Sequence, residues 1–442
     1  MKDLTLGIDL GTTKIALVLF HPHSPEKNRI LSRASGAALP GAPESAQQDY
    51  RKMEETVFDL LSQFPRQELE RVGAVGVTGQ MHSVVLWNET EISPVTTWQD
   101  RSAGAAGVLE SFRQRSSCPL ADGFGAVTLA LLALRGELAK WQFCGTPADL
   151  LAVRMTGPNR SAEMDPTFAA SWGIYDPETK DWKQKAVRAL GIPPALLPAV
   201  KPSGSIAGWT QHVPGLPDGV PLLLPLGDNQ ASIFATAEDP DRELFLTIGT
   251  GAQLSCTTDG RIPLPRCTEL RPYLRGQQLA TTAPLCGGRA WAWLGDTLNA
   301  MLKELGLPPF PEKELLNRLD EMAFRAEKAS PLTVSPHFLG ERNAPSLRGS
   351  IEGITLNNLT LPNLAAGLAR GIIRQLAEGI PDGLRNGRER IIGSGNGLRL
   401  CRFLQQAVEE EFHLPLLFRD LREEAATGAA RLAAEKLDSP IR

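Results

Sequence analysis

Asp9-Leu10-Gly11-Thr12-Thr13 is the stretch of this 442-residue chain whose residue types best suit chemistry. A glycine followed by two threonines makes a tight turn that exposes backbone N–H groups beside two hydroxyls. Such a turn cradles phosphate oxygens with no bulky side chain in the way. Asp9 stands just before it, where a carboxylate can hold a magnesium ion through waters. A plain β-hairpin with a buried or capping aspartate would use the same letters, and short motifs carry false positives. The pattern returns roughly half a chain later as Ile248-Gly249-Thr250-Gly251, and two such turns can grip one nucleotide.

Four further groups offer chemistry, each beside a plainer role. Asp228-Asn229-Gln230 follows the apolar segment Val220–Leu226. At a strand end an aspartate accepts a proton from a substrate hydroxyl while the asparagine holds the same substrate; the same letters also cap a helix. Gln80-Met81-His82 ends the apolar run Val72–Val77, and its histidine suits either a sugar hydroxyl or a buried carbonyl. Trp98-Gln99-Asp100-Arg101 joins an aromatic face to hydrogen-bonding groups, a composition fit for polyols or for a surface salt bridge. Gly393-Ser394-Gly395-Asn396-Gly397 follows an apolar strand and serves either as a close approach to a flat ligand such as adenosine or as an ordinary strand-to-helix loop.

The elements that must position these residues follow from periodicity. Both glycine-threonine turns lie between apolar runs, so each reads as a hairpin. Val72–Val77 and Arg390–Ile392 echo each other as strands that run into glycine. Met53, Val57, Leu60, Leu61 and Phe64 keep helical spacing, as do Leu364, Leu368, Ile372, Ile373 and Leu376, with Thr360 as N-cap. Leu400, Phe403, Leu404, Ala407 and Val408 form a third stripe, and the alanine-rich stretch Leu421–Leu437 reads as helix. Strands mixed with helices in two halves indicate an α/β protein of duplicated design. The expected division lies in the proline- and glycine-rich stretch from Pro214 to Pro225, giving domains 1–225 and 226–442; segments 22–50 and 257–278 read as loops.

Composition narrows the function. The net charge is −4, which excludes a binder that holds nucleic acid by a basic excess. Leu4–Ile8 is interrupted by Asp9 and too short for a signal-peptide core. Phe124–Leu134 has the length of a buried helix rather than a membrane span. The six cysteines are scattered, so neither a zinc site nor a disulfide framework is expected, and a cytoplasmic location is. No P-loop, G-x-G-x-x-G or protein-kinase signature is present.

In this order, Gly7–Thr13, Gly79–His82, Gly227–Ser232 and the Gly393 loop resemble the FGGY family of carbohydrate kinases. The resemblance continues through Gly340-Glu341-Arg342-Asn343, Arg348-Gly349 and Gly353-Ile354-Thr355. It implies two actin-like, ribonuclease-H-like domains with an interdomain cleft, the first for sugar and the second for nucleotide. It also implies ATP and Mg2+ as cofactors, with Asp9 at the metal and Asp228 as catalytic base. Gln80, Met81, His82, Trp98, Asp100 and Asn229 would then face the sugar. Gly11, Thr12, Thr13 and Thr250 would meet the nucleotide phosphates, with Gly395 and Asn396 beside adenosine and Gly288 at another nucleotide contact. Lys14 and Gly251 stand where the family often has serine, and Arg399 near a position that carries asparagine in some members. The expected substrate is the terminal hydroxyl of a ketose, sedoheptulose first and xylulose second; the expected state is a monomer or homodimer. An actin-like or chaperone-like ATPase would use the same phosphate turns without the sugar-facing residues, and a silent sugar sensor would lack Asp9, Thr13 and Asp228.

Overall fold

The computed structural model describes residues 2–157, 160–327, 329, 331–341, 344 and 346–437. Arg342 and Asn343 lie outside the described residues. The chain forms two compact units, one of residues 1–236, 272–276 and 421–442, the other of 237–271 and 277–420.

In the first unit, Leu4, Leu6, Ile8 and Leu10 alternate along β1 (Leu4–Leu10) and are fully buried, or nearly so. Its sheet also holds β2 (Lys14–Phe20), β3 (Arg29–Ala34), β4 (Val72–Gly79), β5 (Ile206–Trp209), β6 (Pro221–Leu223) and β7 (Leu226–Gly227). The order is β5-β6-β4-β1-β2-β3, with β7 also paired to β4. β1 runs antiparallel to β2 and parallel to β4. The expected hairpin is present. β3 lies within 22–50, a segment whose sequence reads as loop. It is an edge strand without a buried face, so no apolar alternation marks it, and its pairing with β2 alone defines it.

The alanine-rich stretch forms the helix Glu424–Ala434 and belongs to this unit. Gly7 and Gly76 are partners across β1 and β4. A Cβ on Gly7 would overlap the Ala426 carbonyl oxygen, and one on Gly76 the Ala429 carbonyl oxygen. The helix backbone therefore lies directly on the sheet, and Thr5 Oγ1 fastens it by donating to the Ala430 carbonyl over 2.8 Å. On its other side it packs against the helix Asp228–Thr236. That packing puts the division expected at 225/226 inside the first unit: burying the apolar face of Asp228–Thr236 requires the C-terminal helix, not the residues that follow it.

The second unit repeats the strand pattern. β8 (Glu243–Ile248), β9 (Ala252–Thr258), β10 (Thr268–Pro272), β11 (Gln278–Thr282), β12 (Arg390–Ser394) and β13 (Leu416–Phe418) lie in the order β10-β11-β9-β8-β12-β13. β8 is antiparallel to β9 and parallel to β12, as β1 is to β2 and β4. β10 and part of β11 again occupy a segment, 257–278, that the sequence reads as loop.

The helix Leu361–Gly379 buries Leu368, Ile372, Ile373 and Leu376, and Thr360 caps it by accepting from Asn363 N. The third stripe is shorter than its spacing implies. Its helix is Arg402–Phe412, and Leu400 is exposed because the turn at Cys401 separates it from that face. Buried Asp320 fixes this turn by accepting from Arg402 N (3.1 Å) and Phe403 N (2.8 Å). Glu341 of the second-half signature is held by His337 and by Gln375 of the long helix. Among the described residues no helix is long and apolar enough to cross a membrane.

Candidate active site

Three parallel strands of the first unit end side by side. Leu10 of β1 and Gly227 of β7 both pair with Gly79 of β4, so the turn 11–13, the segment 80–82 and the pair 228–229 leave the sheet at one edge. Ligands of parallel α/β sheets gather beyond the carboxyl ends of the strands; there Thr12 meets Gln80 and Trp98, and Met81 packs beside Gly227.

Asp9 is half-buried, and its Oδ1 is buried without a hydrogen-bond partner. Burial raises its carboxyl to about 8, helped by the Asp228 and Glu423 carboxylates and opposed by the Lys14 ammonium. Lys14 in turn bonds Glu423 over 2.7 Å. An orphaned carboxylate oxygen within electrostatic reach of two more carboxylates suits a hard divalent cation. Among the described residues no three His, Cys, Asp or Glu converge to ligate a metal directly, so a cation here would keep most of its waters, as Mg2+ prefers.

Thr12 sits at the centre of a hydrogen-bond ring. Its hydroxyl donates to Gln80 Oε1 (3.1 Å) and accepts from Trp98 Nε1 (3.0 Å). Gln80 Nε2 donates to Gln48 Oε1 (2.7 Å), and Gln48 Nε2 donates to the Thr12 carbonyl (2.6 Å). The Thr12 hydroxyl is thus engaged with Gln80 and Trp98, while Thr13 is exposed. Trp98 is 43% exposed, which leaves much of its ring surface open.

His82 adopts a left-handed backbone, φ +68°, uncommon for a residue with a side chain. Its N–H donates to Ser171 Oγ (3.0 Å) and its Nδ1 meets the Ser171 carbonyl at 2.6 Å. A carbonyl only accepts, so Nδ1 carries the proton. The ring stacks on Phe124 with centroids 4.9 Å apart. Met81 is buried beside Gly227. Asp228 opens its helix and accepts from Asn229 N at 2.8 Å, and Asn229 Oδ1 is buried without a partner. Asp100 accepts from Ala46 N, Ser102 N and Ser102 Oγ at 3.0–3.1 Å and so braces two loops against each other.

In the second unit β8 and β12 also end together, with Thr247 opposite Ser394. Arg289 N donates to the Thr250 carbonyl (2.9 Å) at the start of the 17-residue helix Gly288–Glu304. That helix has no side-chain cap; backbone carbonyls take its first N–H groups instead, Arg289 N bonding Thr250 and Ala290 N bonding Gly287. A Cβ on Gly288 would overlap the Gly249 carbonyl oxygen. Gly395, at φ +84°, likewise leaves no room for one beside the Ile248 carbonyl. Thr250, Gly288, Gly395 and Asn396 therefore gather at the end of β8. Arg399 turns its guanidinium over the Phe418 ring, 4.9 Å from the centroid.

The sequence marks neither Gln48 nor Glu423, and the grip of Ser171 and Phe124 on His82 is visible only in the fold. Asp49, which caps the helix Tyr50–Leu61, is the one local signal near Gln48; Glu423 has none.

Residues 4–235 match the model of the N-terminal domain of the FGGY family of carbohydrate kinases. The chain belongs to this family. It is accordingly a phosphotransferase with an alcohol group as acceptor, and the family implies use of ATP. This FGGY kinase is 31% identical to the sedoheptulokinase of Homo sapiens and 29% identical to that of Mus musculus, over 97% and 98% of both chains in each case. The crystal structure of xylulose kinase from Rhodospirillum rubrum superposes with a TM-score of 0.82 over 99% of this chain and 91% of that one, at 20% identity. That of Plasmodium falciparum glycerol kinase with ADP gives 0.77 over 98% and 89%, at 17% identity. These likenesses show the actin-like two-domain fold.

Proposed function

We propose that this FGGY kinase phosphorylates the terminal hydroxyl of a ketose, with sedoheptulose as the preferred acceptor and sedoheptulose 7-phosphate as product. The full-length likeness to sedoheptulokinase at 31% identity carries this reading. The first unit holds the sugar through Gln80, Met81, His82, Trp98 and Asn229, and the second holds the nucleotide through Thr250, Gly288, Gly395 and Asn396. Asp228 orients the attacking hydroxyl and accepts its proton. A weak carboxylate base suffices because phosphoryl transfer is loose and the proton leaves late. The exposed N–H groups of the turn after Asp9 meet phosphate oxygens. Asp9 is the residue that would hold Mg2+, which would supply charge neutralisation there.

Coupled ADP release over a panel of ketoses tests the proposal. Sedoheptulose should give the highest kcat/KM. A higher value for xylulose would move the assignment to a pentulose kinase, and no sugar-stimulated turnover would end the ketose reading.

A further inference from the structure

The ring that joins Thr12, Gln48 and Gln80 bears on how the reaction is aligned. Gln48 is 4% exposed and sits on a two-residue strand, Gln47–Gln48, paired with Val95–Thr96, which leads directly to Trp98. Its side-chain amide has one bond in each direction: Nε2 to the Thr12 carbonyl and Oε1 from Gln80 Nε2. Because Gln80 Oε1 accepts from the Thr12 hydroxyl, the loop closes and both glutamine amides have a single consistent orientation. Turning either amide over would set two donors or two acceptors face to face. Ser35 Oγ gives the Thr12 carbonyl a second donor at 3.0 Å.

A planar trans peptide points its N–H opposite to its C=O. Holding the Thr12 carbonyl toward Gln48 and Ser35 therefore turns the Thr13 N–H the other way, out of the cluster. The same amide that orients this N–H also sets the head group of Gln80, and the strand beneath it carries Trp98.

We propose that Gln48 is a positioning residue for phosphoryl transfer: it locks the Thr12–Thr13 peptide and the Gln80 amide into one register, so that the phosphate-facing and sugar-facing groups of the first unit are set by one side chain. It touches neither substrate in this role. The proposal rests on the ketose kinase reading. Catalysis by alignment is sensitive to such a bond, since a misplacement of about 1 Å costs on the order of 100-fold.

The test compares wild-type protein with Gln48→Met, Gln48→Glu, Gln80→Met and the Gln48→Met/Gln80→Met pair. Each is assayed for ADP release and for sugar phosphate formed. Gln48→Met should lower kcat about 10- to 100-fold with KM for sugar and ATP changed less than about threefold. ADP released per sugar phosphate should rise, because a misaligned acceptor lets water compete. Gln48→Glu keeps the acceptor for Gln80 but sets an oxygen against the Thr12 carbonyl, so it should fall equally far; it also serves as the working variant if Gln48→Met does not fold. The double variant should be no slower than the slower single one, as for residues acting through a shared bond. Unchanged kcat and unchanged coupling in a folded Gln48 variant, or losses that simply multiply in the pair, would overturn the positioning role while leaving the kinase reading intact. Wild-type protein that phosphorylates no sugar would overturn both.

Discussion

The indole N–H of Trp98 donates to the hydroxyl of Thr12 across 3.0 Å. One residue belongs to the proposed sugar-facing set and the other to the proposed phosphate turn, so the two halves of the proposed chemistry share a hydrogen bond. Trp98→Phe keeps the ring and removes this bond. A neutral hydrogen bond is worth about 0.5–1.5 kcal/mol, so kcat/KM for the sugar should fall about 2- to 10-fold in steady-state assays. Trp98→Ala should fall further, because the ring face is lost as well.

Asp228→Asn should reduce transfer about 100- to 10,000-fold, the usual contribution of a general base, with nucleotide affinity by calorimetry close to wild type. Turnover within threefold of wild type would remove Asp228 as the base.

Asp9→Asn should weaken the response to Mg2+. In the wild type the Asp9 carboxyl titrates at about 8 without a cation, so binding at neutral pH must displace a proton. Calorimetry of Mg2+ binding in buffers of different ionisation heat should show proton release near pH 7 for wild type and a smaller release for Asp9→Asn.

Asp149 gives stability a pH dependence of known sign. Burial raises its carboxyl to about 7, against hydrogen bonds from Thr146 that lower it. The folded chain thus binds a proton that the unfolded chain, titrating near 3.8, has already lost. The contribution is fully present below about pH 4 and disappears as pH rises through 7. Urea unfolding between pH 5 and 8 should show a smaller decline in Asp149→Asn than in wild type.

Gly76→Val should drive a side chain into the backbone of the helix Glu424–Ala434. Overpacking of this kind costs about 1–3 kcal/mol or more, read as a lower urea midpoint. The exposed Gly136, whose added Cβ meets nothing within 4 Å, is the comparison site; its left-handed φ of +71° makes Asn the gentler replacement there.

What the sequence determined by itself was local. The two hairpin turns, the capped helix after Thr360 and the buried stripe of Leu368, Ile372 and Leu376 are written in neighbouring residues, because turn geometry and helical periodicity are short-range. The ordered motifs likewise carried the family and the candidate residues. β3 escaped because an edge strand has no buried face to leave a pattern, and Leu400 joined a stripe to which the turn at Cys401 does not admit it. Tertiary structure alone decided the rest. Lys14 and Glu423 meet across 409 positions, and Gln48 reaches Thr12 only once the turn and the short strand are folded together. The C-terminal helix joins the first unit because Gly7 and Gly76 leave room for its backbone. Such contacts depend on which surfaces close against each other, and no run of adjacent residues records that.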